Sequence, residues 1–243
     1  MIARNTSRAY EFIRRKILSS DFPPGVALNA KSLAGKIGVS RTPVRDALRQ
    51  LETEGLVVIR PRLGAMVKFM SLQDFTDHCG VRLALESYAA GQSALLRTDA
   101  ELAEIRDSVQ AMKELLATLP TRVDLDAYHA DLAKQDIRFH VAILAAAKNL
   151  LLRSEILRLH LINRVVGGTD STMFVSGRSD RAGLEARDAK TLREHSEILE
   201  AIAAKDAAAA KAAMEFHIQD IIDHSLKKMS VDEASRLNAE YGF

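Results

Sequence analysis

Three features of the sequence predict a mostly α-helical chain in two parts: an N-terminal winged helix-turn-helix with a small β-hairpin wing, then a C-terminal all-α bundle. Apolar residues recur at helical spacing along nearly all of the 243 residues, in a background where 47% of residues are apolar and Trp is absent. One stretch, "LVVIRPRLGAMVKF", instead alternates apolar and polar around a Pro-Arg-Leu-Gly turn. The charge is also uneven. Residues 1–70 carry 13 Lys and Arg against 5 Asp and Glu, a net +8, and the remainder carries 21 against 27, a net −6. A basic module that meets a polyanion, joined to an acidic module with a different task, fits that split.

The same composition narrows the classes available. A chain of this length holds one large or two modest domains. A single cysteine, Cys79, excludes a disulfide framework and a thiolate metal cluster, and suits a reducing compartment. No apolar run approaches the ~20 residues that span a bilayer, and "MIARNTSRAYEFIRRK" lacks a signal-peptide core. The expectation is a cytoplasmic protein without membrane association.

In the first part, Tyr10, Ile13 and Ile17 mark one face of a helix that "DFPPG" terminates. Leu33, Ala34 and Ile37 mark a short second helix, closed by Gly38 where a left-handed cap is expected. Ser40 is placed to cap a third helix, with Pro43 in its first turn, where a missing N–H costs little. Val44, Leu48 and Leu51 form the buried stripe of that helix, and Gly55 ends it. Arg41, Arg45 and Arg49 recur every four residues along another side. Two short helices around a tight turn, the second bearing arginines, form a helix-turn-helix, and the hairpin that follows supplies a wing with Arg60 and Arg62.

"PPGVAL…SLAGKIGVSRTPVRDALRQLETEGLVV" resembles the winged-helix signature of the GntR family of bacterial transcription regulators, over residues 8–68. The resemblance implies that Arg41, Thr42, Arg45 and Arg49 contact DNA from the recognition helix. It also sets Gly64 at the wing tip with Arg62 beside it. Lys31 stands where the family usually has arginine, so a bidentate guanine contact is not implied there. A near-palindromic double-stranded operator bound by a homodimer is the expected mode, and the resemblance implies a dimer contact mainly in the helical domain.

From residue 71 the chain reads as helices near 72–97, 99–118, 122–147, 150–166, 185–204 and 207–228, with a possible short tail helix in 231–240. "GGTDSTMFVSGRSDRAG" is the long polar loop. The expected domains are therefore 1–70 (DNA binding), 71–230 (metal or effector binding and dimerisation) and a 231–243 tail.

Asp136 and His140 stand at i,i+4, one above the other on a helix. His195 lies ten residues before Lys205 and His217 eleven after Asp206, around a helix break. In an antiparallel hairpin both then sit at one level, roughly 16 Å from the turn. Two locally converging pairs make an N3O donor set suited to a divalent metal. An Asp–His pair at this spacing is also a common simple hydrogen bond, and His129, His160, His224 and His78 read as bystanders.

"RLALESYAAGQSAL", "DIRFHVAILAAAKNLLL" and "HSEILEAIAAKDAAAAKAAMEFH" resemble the all-helical FCD ligand-binding domain of the FadR subfamily, over roughly 76–226. Metal-binding members carry Asp, His, His and His in this order, which implies Asp136, His140, His195 and His217 as ligands and argues against an acyl-CoA sensor. Zinc is favoured on ligand type, with nickel, manganese and iron compatible. Arg82 matches an arginine facing the effector cavity; the other reading is a surface ion pair with Glu86. Asn149 reads first as a helix N-cap and second as a cavity residue.

The expected function is a transcription regulator, a repressor, controlled by a small carboxylate bound at or beside the metal. The alternative is a metallohydrolase or lyase fused to a DNA-binding module. No HExxH, second-metal carboxylate cluster or phosphate loop supports it, and Glu194 points about 100° away from His195 on the helix, a poor general base. A purely structural metal is the third option.

Overall fold

The computed structural model describes residues 2–19, 21–62, 64–69, 71–166 and 181–241. They divide into two compact units, the first holding the residues to Phe75 together with His160–Val166, and the second Thr76–Leu159 with Arg181–Tyr241. In the first, α1 (Ile2–Leu18), α2 (Ala30–Ile37) and α3 (Arg41–Thr53) pack on a small antiparallel sheet. Its strands are β1 (Ala27–Leu28), β2 (Val57–Arg60) and β3 (Gly64–Val67), in the order β1-β3-β2. Register is Val57 to Val67 and Arg60 to Gly64 across the hairpin, and Leu28 to Ala65 on the other edge. The core is Ala9, Ile13, Ile17, Leu33, Ile37, Val44, Leu48, Leu51 and Val67. Tyr10 flanks the α1 stripe rather than forming it: its hydroxyl donates to Glu54 Oε2 at 3.0 Å.

Helix boundaries here follow local chemistry. Asn29 caps α2 by accepting from the Lys31 and Ser32 backbone N–H groups, and Gly38 ends it at φ 75°. Ser40 occupies the N-cap position of α3 with extended backbone, but its side chain makes no cap hydrogen bond. Gly55, at φ 80°, turns the chain after α3 into β2.

The second unit holds α4 (Leu72–Leu96, from Thr76), α5 (Asp99–Thr118), a 3-10 turn at Leu119–Thr121, α6 (Leu125–Ala146), α7 (Leu150–Val166, to Leu159), α8 (Arg181–Ala203) and α9 (Ala207–Tyr241). Thr98 and Glu101 form a reciprocal capping box on α5, and Asp124 caps α6. Arg122 is extended, so α6 begins three residues later than its apolar pattern suggests. Helix α8 begins earlier than expected, and 167–180 of the expected polar loop lie outside the described residues. Helix α9 continues unbroken to Tyr241, so 231–240 is not a separate helix.

The α8–α9 turn is closely specified. Lys205, at φ 59°, takes the left-handed position usually given to glycine. Its N–H donates to Ile202 O and that of Asp206 to Ala201 O, the paired bonds of a Schellman ending. Arg97 reaches in from the end of α4, donating to the carbonyls of Ile202 and Ala203. Asp206 then caps α9 through Ala209 N. Gly91 is the close-approach point between α4 and α9, since a Cβ there would meet Ala207 O at 3.2 Å.

Candidate functional site

On the first unit, helix α3 separates its faces cleanly. Pro43, Val44, Ala47, Leu48 and Leu51 are buried, while Arg41, Thr42, Arg45 and Arg49 are exposed. Lys31 is exposed on α2 beside its cap. At the wing, Arg62 and Gly64 are exposed and both have left-handed backbone, φ 66° and 87°. That curvature lets a short connection close the β2–β3 hairpin and project Arg62. An α-helix fits the B-DNA major groove, and guanidiniums spaced along one face reach base edges or phosphates.

In the second unit, three helices bring Asp136 and His140 (α6), His195 (α8) and His217 (α9) together. One ligand atom from each lies within 4.8 Å of all the others. His195 Nε2 is 3.1 Å from His217 Nε2 and 3.4 Å from Asp136 Oδ1, which is 3.8 Å from His140 Nε2. The three imidazoles are 0–3% exposed and Asp136 is 9% exposed. Bonds of ~2.1 Å in a tetrahedral arrangement set ligand atoms roughly 3.4 Å apart. The separations of 3.1, 3.4 and 3.8 Å bracket that spacing. Asp136 Oδ1 and His195 Nδ1 are buried without a hydrogen-bond partner, an expense in an apolar interior that a cation would offset at Asp136. Three imidazoles and a carboxylate therefore fit a divalent metal.

Electrostatics differ among the rings. Burial works to lower His140, but the charge of the adjacent Glu86, with Asp136, outweighs it and holds the imidazole above its ordinary value. His195 is pushed well below its ordinary value by burial and by its His217 and His140 neighbours. Beside Asp136 a cavity of about one water's size is walled by Met112, Leu116, Leu132 and Leu192, with Asp188 and Thr191. Asp188 accepts from the Tyr128 hydroxyl at 2.9 Å and pairs with Arg187.

Arg82 and Glu86 do pair, but not at the surface. They are 4% and 2% exposed, with Arg82 Nε donating to Glu86 Oε1 at 2.8 Å. Glu86 Oε2 lies 2.9 Å from His140 Nδ1. Glu194, unsuited as a base for its neighbour His195, instead faces His217 Nδ1 at 2.9 Å. The one-residue offset from His195 turns it about 100° toward α9. Neither carboxylate's role is visible from spacing within one helix. Asn149 is exposed and caps α7, accepting from Leu152 N at 3.0 Å. Among the other histidines, His129 is buried with neither ring nitrogen hydrogen-bonded and His224 is exposed. The His160 side chain lies outside the described residues.

A winged helix-turn-helix with an exposed arginine ladder, ahead of a helical domain, is the arrangement of a DNA-binding transcription regulator. Comparison with known proteins makes the class specific. The family of bacterial regulatory proteins, gntR family, matches residues 5–67, and the FCD domain matches residues 78–220. The chain belongs to the GntR family. An uncharacterised HTH-type transcriptional regulator of Agrobacterium vitis is 34% identical over 60% of this chain and 82% of its own. The HTH-type transcriptional repressor RspR of Escherichia coli is 26% identical over 87% of this chain and 85% of its own. The solved structure of E. coli McbR/YncC, 18% identical, covers 94% of this chain and 98% of its own at a TM-score of 0.64, a likeness of fold. No described helix is long and apolar enough to cross a membrane.

Proposed function

We propose that this regulator is a repressor whose operator affinity is set by a small organic acid bound at or beside a divalent metal, zinc on ligand type. Asp136, His140, His195 and His217 would hold the ion. The carrying observation is the convergence of these four donors, from three helices, on one buried centre. Four protein ligands leave positions open to an effector carboxylate on a metal that accepts five or six. The metal would supply a fixed positive charge; the chain supplies the aperture, bounded by the cavity at Asp136. Arg82, within electrostatic reach of Asp136, and Asn149 are the proposed effector-side residues.

Arg41, Thr42, Arg45, Arg49 and Lys31 would read or grip the operator, and Arg62 with Gly64 would form the wing contact. The domains would be 1–70, 71–230 and a 231–243 tail that continues α9. A homodimer on a near-palindromic site is supported by α4, whose polarity is inverted. Arg82 and Glu86 face inward, while Val81, Tyr88 and Leu95, seven residues apart, are 48%, 47% and 58% exposed. Such a stripe on a regulator of two-fold operators suits a second copy of the chain. A cytoplasmic location follows from the task.

Metal analysis with operator titration tests the reading. One equivalent of divalent metal per chain, lost from Asp136→Ala/His140→Ala, is expected; stoichiometric metal retained in that double variant overturns the site.

A further inference from the structure

Behind the four proposed ligands lies a second ring of charge, from helices the ligands do not share in the same way. His140 Nδ1 faces Glu86 Oε2 of α4 at 2.9 Å, and His217 Nδ1 faces Glu194 Oε2 of α8 at 2.9 Å. Glu86 is in turn held by Arg82 Nε at 2.8 Å. Exposures are 2% for Glu86, 6% for Glu194 and 4% for Arg82. Carboxylates this deep persist only when paired or coordinating.

The pairing has a direction. A carboxylate accepts, so the His217 Nδ1 bonded to Glu194 carries the proton, and a neutral ring then presents its lone pair from Nε2. At His140 the Glu86 contact is an ion-pair distance without hydrogen-bond alignment, yet in both rings Nε2 is the nitrogen turned away from the carboxylate, and both Nε2 atoms face the common centre. Two independent ion pairs would have no reason to aim both free nitrogens at one point. The charges agree. Three buried carboxylates, Asp136, Glu86 and Glu194, surround the rings against one guanidinium, Arg82, an acidic setting that favours a cation. Lys190, 3.8 Å from Glu194, is itself paired with Asp220 at the surface.

We infer that Glu194 and Glu86 are positioning residues of the metal centre: Glu194 fixes the Nδ1–H tautomer of His217, and Glu86, held by Arg82, sets its charge against His140. This rests on the metal reading above and goes beyond it, since the ligand set alone requires neither carboxylate. The third ring, His195, has no partner on Nδ1, so its orientation comes from packing, including Phe139 at a centroid distance of 4.4 Å.

The test is zinc affinity of the full chain, measured by competition with a chromophoric chelator, for Glu194→Ala, Glu194→Gln, Glu86→Gln and the exposed control Glu197→Gln. Helical circular dichroism of each metal-free variant checks folding. Glu194→Ala should bind zinc ~10–100-fold more weakly, the usual loss for an outer-shell partner of a ligating histidine. Glu194→Gln, which keeps an acceptor but loses the charge, should fall between it and wild type, and Glu197→Gln should match wild type. Ring 15N shifts of His217 in the metal-free protein should report a protonated Nδ1 in wild type, and a mixture of tautomers in Glu194→Ala. A folded Glu194→Ala with wild-type zinc affinity and an unchanged His217 tautomer overturns the inference. Wild type binding no zinc overturns the metal reading itself, a distinct result.

Discussion

Arg97→Ala perturbs the metal cluster without touching a ligand. Its guanidinium, 7% exposed, donates through Nε to Ile202 O at 3.2 Å and through a terminal nitrogen to Ala203 O at 2.9 Å, while the other nitrogen meets the exposed Asp99. The two carbonyls end α8 and would otherwise rely on water and on the Lys205 N–H. Hydrogen bonds to charged groups contribute about 1.5–3 kcal/mol each, and water recovers part of that at a helix end. The solvated Asp99 pair adds little. The expected loss is ~2–4 kcal/mol, or about 4–16 °C in melting temperature for a chain of this size. Because this turn sets the level at which His195 meets His217, zinc affinity should fall with stability. Arg97→Lys, a point charge able to serve one carbonyl, should lie between. Thermal denaturation followed by helical circular dichroism, with zinc competition in parallel, provides the assay. A melting temperature within about 1 °C of wild type would refute the reasoning that Arg97 ties α4 to the α8–α9 turn.

The other predictions address reading, binding and pH. Arg45→Ala should cost ~1–3 kcal/mol of operator binding and relax sequence preference at its position; unchanged affinity in a fluorescence-anisotropy titration would remove α3 as the reading helix. Arg62→Ala should weaken all sequences alike and flatten the salt dependence by about one phosphate contact, and a sequence-dependent loss would contradict a backbone role. Metal binding should weaken below about pH 6, since imidazoles must be neutral to ligate; a flat profile by competition titration would exclude histidine ligands. Asp74 is lowered to about 2, first by the Lys68 hydrogen bond and then by Ser71, against desolvation. A depressed carboxylate stabilises the fold above its unfolded value of 3.8, and that contribution fades as pH falls toward about 2. The gap in urea midpoint between wild type and Asp74→Asn should therefore close between those values; a constant gap would show that the Lys68 pair does not act through charge.

The sequence was legible wherever one helix carried the whole signal. The α3 stripe and arginine ladder and the α5 start at Asp99 follow from periodicity, and the α7 start at Leu150 from periodicity with Asn149 as its cap. Even the meeting of His195 with His217 could be read, because the short turn makes distance along the chain a ruler. What stayed hidden depends on partners in other helices. Glu86 looks like half of a surface i,i+4 pair until α6 places His140 against it. Likewise, α4 turns Arg82 and Glu86 inward and Val81, Tyr88 and Leu95 outward, so its composition misstates its buried face. Strand β1, two residues long, exists only because β3 offers an edge. Helix α9 continues past residue 228 because Ser230 and the residues after it do not break a helix already propagating, although they would not start one.

The central claim is that a small acid at the metal controls the grip on DNA, a coupling between two separate sites. Its most direct test is operator affinity of the zinc-loaded protein across a panel of small organic acids, repeated after chelation. The account predicts that at least one acid weakens operator binding about 5–150-fold, a coupling of ~1–3 kcal/mol, and that chelation abolishes the response while the protein stays folded. If no acid shifts the affinity and chelation only unfolds the helical domain, the metal is structural and the claim is contradicted.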